Sequence, residues 1–345
     1  MKSKVRSILK YFFLCIIVYF IICFATPFNK SLRHRSTENQ INYLSHILDQ
    51  GYDDHLQSRY PEGKVFSNAL LALSILEHCN KTENVNAKYS KTVDKCIQRL
   101  LSENSLKNFP THINPPYGMF YNGWVNHVMV SYTKSSLFQF SEIQKEILAS
   151  SQTIESRLLS AQKDSVRLLD SYEGSYWPAD NLIGIVSIKD SVIGRLWLEK
   201  QLSGTYHPTK LINHAGDQHS IIRGSSSALM TYCMSKISYS DVIQYNDRYK
   251  KIFVDQYFGI QIVKENENGS NDSDYDSGPV FFGYGATATI MNMKTQASLG
   301  DQNSKITWAF FNSISFPINL VQSKYYLFKQ EPMFDLFMLW AAVEM

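Results

Sequence analysis

Five loops crowded with Gly, Pro, aromatic and ionisable residues punctuate this chain at intervals of about 50 residues, and each leads into an apolar stretch of helical period. They run Arg59-Tyr60-Pro61-Glu62-Gly63, then Asn114-Pro115-Pro116-Tyr117-Gly118 continuing to Tyr121-Asn122-Gly123-Trp124, then Tyr172 through Trp177-Pro178-Ala179-Asp180. The fourth is His214-Ala215-Gly216-Asp217-Gln218-His219 with Arg223-Gly224-Ser225-Ser226, and the fifth Asp274-Tyr275-Asp276-Ser277-Gly278-Pro279. A period of that size, filled by pairs of helices, is what a ring or solenoid of helical hairpins requires. Because the chemistry sits at one phase of the repeat, the loops should meet on one face.

The N-terminus adds a second constraint. Lys2, Lys4, Arg6 and Lys10 precede an uncharged run dense in Phe, Ile, Leu and Val. Its length is near the roughly 20 residues that cross a bilayer, and it exceeds the core of about 7–15 residues in a cleaved signal peptide. An uncleaved anchor is therefore expected over residues 11–28, with residues 1–10 as a cytoplasmic tail. Cleavage after Cys23-Phe24-Ala25 is the competing reading. Residues 29–37 then read as a polar, basic linker, and residues 38–345 as one domain outside the cytoplasm. Lys30, Arg33 and Arg35 beyond the span weaken the charge argument for that orientation.

From Glu38 onward the helical period dominates. Ile41, Leu44, Ile47 and Leu48 form one stripe, and Phe66, Ala69, Leu70, Leu73 and Leu76 another. Later stripes cover Ile143–Leu159, Leu182–Leu198, Ser226–Ile237, Tyr245–Ile260, Val280–Met293, Ile306–Ile318 and Met333–Val343. No convincing run of alternating strand residues interrupts them. Ile306–Leu320 is apolar enough to raise a second membrane span, but Asn312, Ser313, Ser315, Pro317 and Asn319 favour a buried helix.

Several classes of function are disfavoured. A net charge of +3 over 345 residues, without a basic face bearing aromatics, argues against nucleic-acid binding. There is no G-x-S-x-G elbow, P-loop or dinucleotide fingerprint. Cys15 and Cys23 lie in the anchor; Cys79 and Cys96 either pair across a hairpin loop or remain buried thiols. No zinc spacing occurs, and neither a metal nor a cofactor is implied.

Each loop offers a structural and a functional role. Pro61 and Glu62 suit a helix start, where the dipole favours a carboxylate, and Arg59 and Glu62 also suit a pocket mouth. Tyr121, Asn122 and Trp124 bring hydroxyl-binding groups. On a helix starting near Gly123, Trp124 and His127 share a face, so His127 either shuttles protons or is simply hydrogen-bonded. Trp177 gives a flat platform beside Asp180, which caps a helix or accepts hydroxyl protons. His214, Asp217 and His219 match no fixed metal spacing, and Arg223 has the planar fork that anchors a carboxylate or phosphate. Asp274 and Asp276 stand two residues apart, a pairing that pushes two carboxyl pKa values apart.

With helical hairpins and the loops Tyr60-Pro61-Glu62-Gly63, Tyr121-Asn122-Gly123-Trp124, Trp177-Pro178-Ala179-Asp180 and Asp276-Ser277-Gly278-Pro279, the chain resembles the (α/α)6 toroid proteins. These include six-hairpin glycosidases, polysaccharide lyases, terpenoid cyclases and the linalool dehydratase-isomerase type. The resemblance covers most of residues 38–345 and implies an all-α fold with a funnel-shaped site at one end of an inner helix ring. The expectation is a membrane-anchored enzyme acting on a carbohydrate or small hydroxylated substrate by acid/base chemistry. Asp276 and Asp180 are its candidate carboxylates, with His127 and Glu62 next. Tyr60, Tyr121, Asn122, Trp124, Trp177, Asp217, His219, Arg223 and Asp274 are the candidate substrate contacts. The alternatives are a lyase or isomerase of an isoprenoid-like alcohol, favoured by fewer aromatic platforms and a closed, drier pocket, and a non-catalytic binding module of the cell envelope.

Overall fold

The computed structural model describes residues 2–83, 86–163, 168–188, 192–194, 196–197, 199, 211–212, 221–273 and 277–345. Asp217, His219, Asp274 and Asp276, together with His214, lie outside the described residues.

Among the described residues the chain is mostly helical. In order come α1 (Lys2–Ala25), α2 (Lys30–Asp49), α3 (Tyr52–Arg59), α4 (Gly63–Thr82), α5 (Ala87–Leu101), the short α6 (Glu103–Leu106), α7 (Gly118–Thr133) and α8 (Gln144–Lys163). Then follow α9 (Pro178–Val186), α10 (Gly224–Lys236), α11 (Val242–Phe253), α12 (Ala286–Ser298), α13 (Asn303–Ile314) and α14 (Pro332–Ala342). Local chemistry sets many starts. The Asn29 side chain accepts from Leu32 N at 3.0 Å, and Asn86 accepts from Lys88 N at 2.9 Å. Proline opens α9 and α14, where its missing N–H costs no helical bond.

Six helices pack in a closed sequence of contacts. α4 rests on α7, α7 on α9, α9 on α10, α10 on α12, α12 on α14, and α14 returns to α4. The remaining helices cover them: α5 packs on α4 and α7, α8 on α7, α11 on α10, α13 on α12, and α2 on α14 and α4. Close approach depends on small residues at the α7–α9 crossing, where a Cβ on Gly123 would lie 2.9 Å from the Gly184 nitrogen. Any larger side chain there must push the two helices apart.

One helix is long and apolar enough to cross a membrane, over Leu9–Phe28, and only 11% of its window is buried by the rest of the chain. Its far end is not joined to the domain by a linker. Residues 30–37, expected as part of one, form the first turns of α2, and Ser36, Thr37, Asn39 and Gln40 are buried. Polar residues at the start of α2 meet polar partners instead of water. Gln40 Nε2 donates to Asp335 O at 2.8 Å, and Asn39 Nδ2 donates to Asn319 Oδ1 and Leu320 O, both at 2.8 Å.

Three antiparallel hairpins interrupt stretches whose period reads as helix. β1 (Val254–Tyr257) pairs with β2 (Ile260–Val263), β3 (Val280–Phe281) with β4 (Tyr284–Gly285), and β5 (Ile318–Asn319) with β6 (Lys324–Tyr325). The apolar run from Tyr245 therefore ends its helix at Phe253 and reverses at Phe258-Gly259, both at positive φ. Short apolar runs do not distinguish helix from strand, and here the turn residues decide. Ile306–Ile314 belongs to a helix with Trp308, Ala309 and Asn312 buried. Cys79 and Cys96 are free buried thiols.

Candidate functional site

The six helices in cyclic contact share one end. A small chamber of about 80 Å³ is lined by Phe66 of α4, Phe120 and Trp124 of α7, and Ala179 and Asp180 of α9. Ser225, Ser226 and Leu229 of α10, Thr287 and Met291 of α12, and Phe337 and Trp340 of α14 complete it, with Trp177 just before α9. On five of the helices these residues belong to the N-terminal half, whereas Trp340 lies in the last turn of α14, whose N-terminal residues Met333 and Phe334 line the adjoining cavity. Phe66, Thr287 and Phe337 also line a larger adjoining cavity of about 500 Å³. That outer cavity runs past Tyr60, Pro279, Ile290, Phe311, Ile314, Leu327 and Phe334, with Arg59 and Glu331 as its charged residues.

Aromatic packing builds the inner chamber. Phe66 sits 5.0 Å from Phe120 and 5.2 Å from Trp124, ring centre to centre, and Trp124 meets Trp340 edge-on at 5.9 Å. Asp180 is its one carboxylate among the described residues and is itself buried. It occupies the third position of α9, where the helix dipole favours negative charge. Asn181, beside it, fixes the entry loop: its Oδ1 accepts from Leu169 N at 2.9 Å, and its Nδ2 donates to Leu169 O at 3.0 Å and Trp177 O at 2.9 Å. The loop geometry that presents Trp177 and Asp180 is thus held by a neighbouring amide. The indole Nε1 of Trp124, fully enclosed, has no hydrogen-bond partner among the described residues.

The other sequence candidates divide between rim and scaffold. Tyr60 lines the outer cavity. Glu62 is buried just behind it and accepts a short hydrogen bond from the Tyr172 hydroxyl; the Tyr172 ring lies 5.2 Å from Trp177. Glu62 therefore ties the loop before α4 to the loop before α9. The helix carrying Tyr121 and Asn122 begins at Gly118, earlier than the expected start near Gly123, so these two residues lie inside its second turn. Tyr121 donates to Leu100 O at 3.0 Å. Asn122 donates to Pro116 O and Gly118 O, and accepts from Arg157 at 3.0 Å. Neither lines the chamber. Arg223 caps α10 with its side chain paired to the fully buried Glu265, Nε to Oε1 at 2.9 Å, and Ser225 donates to the same oxygen at 2.7 Å. It pins the hairpin region to the helix start.

His127 lies beyond the chamber, towards the opposite end. Its surface is partly accessible, but most of the ring is packed among protein atoms, and that desolvation governs its proton. Burial, then Lys236, Lys294 and Lys134, push it down to about 4, so it is neutral at physiological pH. The cations belong to a cluster that sequence reasoning missed. Lys294 of α12, fully buried, contacts Glu77 of α4 and lies 2.8 Å from Glu344, while Lys236 reaches Glu344 at 3.1 Å. Burial raises Glu77. At Glu344 burial is outweighed by the hydrogen bond from Glu77 and by Lys294, Lys236 and Lys81, which hold it well below the ordinary carboxylate range. Lys294 also lies 5.0 Å from the Trp340 ring, so a single indole separates this cluster from the chamber.

Phe66, Phe120, Leu229, Met291, Phe337 and Trp340 were equally unmarked as site residues. Their only sequence signal is an apolar side chain within a helical stripe, which ordinary core residues share. Compared with known proteins, the chain matches no family model and no curated protein.

Proposed function

We propose that this chain is an α/α-toroid enzyme that acts on an apolar alcohol of isoprenoid type by acid/base chemistry, as a lyase or isomerase. In this reading α1 anchors it in a membrane with the domain outside the cytoplasm, following the basic residues before the span. The cyclic contacts of six helices, with their N-termini at one end, support the toroid architecture. The observation that carries the reaction class is the lining of the inner chamber, which is aromatic and aliphatic apart from Asp180, Ser225, Ser226 and Thr287. A sugar ring needs polar partners around its circumference, whereas a hydrocarbon chain with one hydroxyl needs a dry wall and one polar end. The carbohydrate reading has correspondingly less support.

In the proposed step Asp180 exchanges the proton. Its carboxyl gives a proton to the departing hydroxyl oxygen, the C–O bond breaks, and the resulting carboxylate takes a proton from the adjacent carbon. The products are an alkene and water, and Asp180 ends as it began. Trp124, Trp177 and Phe337 would face the electron-poor carbon with aromatic rings, which stabilise positive charge without attacking it.

The test is turnover of prenyl alcohols by the full-length protein in nanodiscs, with alkenes measured by gas chromatography. Asp180→Asn, which keeps the side-chain shape, is expected to lower the rate by about 100-fold or more. Thermal stabilisation by oligosaccharides and not by prenyl alcohols, with no alkene formed, would sink this reading in favour of the carbohydrate one.

A further inference from the structure

The direction of the anchor relative to the cavity has a consequence for where a ligand comes from. α1 lies against α13 in antiparallel fashion. Lys305 stands 5.5 Å above the Phe28 ring, Asn312 Nδ2 donates to Cys23 O at 2.8 Å, the Phe316 and Phe20 rings lie 6.0 Å apart, and Tyr19 Oη donates to Pro317 O at 2.9 Å. Passing along α13 towards its C-terminus therefore means passing back along the span. α12 and α13 form a hairpin, and the outer cavity is lined by the start of one, Ala286, Thr287 and Ile290, and the end of the other, Phe311 and Ile314. The N-terminal end of the six-helix cycle and the membrane span consequently point the same way.

The depth follows from the same contacts. Roughly 12 Å of helix, at 1.5 Å per residue, separate Phe20 from the end of the span at Phe28. The loop at residues 315–321 thus sits level with the interior of the span and not above it. Two of its side chains suit that position, Phe316 and Leu320 at 45% and 55% exposed, while Val321 borders a polar groove lined by Arg35, Glu38, Asp49 and Lys88. Ile314 lines the cavity and is still 42% exposed, so the rim of the cavity and the exposed apolar loop are continuous. Phe281 and Phe282, beside the cavity residue Pro279, are also exposed.

The polar groups of this loop are turned inward, as lipid contact demands of irregular backbone. Pro317 O accepts from Tyr19, Leu320 O from Asn39, Leu320 N donates to Ser323 O at 2.7 Å, and Ser315 O accepts from Leu327 N at 3.1 Å. Ile318 pairs with Tyr325 and Asn319 with Lys324. Lys324, the cation of this region, is buried 3.1 Å from Asn312 Oδ1, and burial pushes it down to about 7.

We infer that the rim at Ile314, Phe316 and Leu320 is immersed in the bilayer beside α1, and that the cavity takes its occupant sideways from the membrane: a lipid-dissolved molecule with a single hydrocarbon chain. The immersion stands on geometry alone, and only the chemical class of the occupant rests on the function proposed above. A freely water-soluble substrate would find the entrance facing lipid.

The experiment uses the full-length protein in phosphatidylcholine nanodiscs. A nitroxide is placed by Phe316→Cys, Leu320→Cys or, as an aqueous control at the start of α8, Glu146→Cys, each with Cys15→Ser; the other four cysteines are buried. Collisions with oxygen and with a water-soluble nickel chelate report the surroundings. Labels at 316 and 320 are expected to show a severalfold higher oxygen-to-nickel ratio than the label at 146. A diazirine-bearing prenol dissolved in the same nanodiscs is expected to crosslink to α14. Nickel access at 316 and 320 equal to that at 146 would overturn the immersion whatever the chemistry. Low collision rates with both probes would mean that a protein, such as a second copy, covers the loop, and would overturn it too. Lipid-like labels without any crosslink to α14 would overturn lateral entry. Neither readout requires turnover, so failure of the proposed chemistry is distinguishable from failure of the docking.

Discussion

The two ends of the six-helix cycle are built from the same helices and are chemically opposite. Lining the chamber at the N-terminal end are Phe66, Phe120, Trp124, Met291 and Phe337, with Asp180 as its one acid among the described residues, enclosing open space. Towards the C-termini Lys294, Lys236, Lys81, Glu77 and Glu344 fill the interior with ion pairs and leave His127 neutral. Trp340 faces both, lining the chamber and lying over Lys294. Lys81 and Lys236 occupy the last turns of α4 and α10, where cations complement the helix dipole. The comparison teaches that one end is closed by electrostatics and the other kept open by rigid rings. Substitutions are therefore expected to affect stability most at the closed end and, in the proposed function, ligand selection most at the open one.

Breaking the closed end should have the largest effect. Lys294→Met leaves two buried carboxyl groups without their shared cation and is expected to cost roughly 3–5 kcal/mol in thermal or urea unfolding. Combining it with Glu77→Gln and Glu344→Gln should recover most of that loss, since removing every partner also removes the uncompensated charge. A triple variant no more stable than the single one would show that the cluster acts by packing.

Acid comes next. His127 is held below the ordinary histidine value, so the unfolded chain takes up this proton first. Its contribution to stability is full above about pH 6.5 and is lost as pH falls from there through about 4. A loss of about 2 kcal/mol over that window is expected. His127→Gln should flatten it in unfolding measured across pH, while other groups still titrate.

The smallest change in stability is expected at the open end. Trp124→Phe removes an indole N–H with no partner among the described residues and opens a little space, opposing effects that should leave about 1 kcal/mol or less. Its effect should appear in selection: binding of a prenyl alcohol weakens, while binding of the matching hydrocarbon does not, as calorimetry in nanodiscs would register. Equal weakening of both would mean that Trp124 serves only as a wall.

The part of this arrangement legible in sequence is the part encoded locally. Pro178 after Trp177, with Asp180 in the first turn that follows, is a signal that acts over a few residues. Tyr121 and Asn122 were misplaced because their helix starts at Gly118, in a left-handed conformation (φ +73°) that fits a Cβ-free residue packed against Ser171 O. The hairpins at residues 254–263 and 280–285 were hidden because their strands, two to four residues long, are too short to show a period of their own.

By itself the sequence determined a chain of paired helices, an N-terminal segment long and apolar enough to span a membrane, and motif loops at a single phase of the repeat. These follow from periodicity, helix starts and hydropathy, which depend on neighbours along the chain. Only the tertiary structure decided which of those loops hold a chamber and which hold the scaffold. It alone brought Lys294 to Glu77 and turned the N-terminal end of the helix cycle in the direction of the anchor. Those outcomes depend on contacts between residues hundreds of positions apart, such as Tyr19 with Pro317. No local preference specifies such pairs, because they are chosen jointly by all the surfaces that must be buried at once.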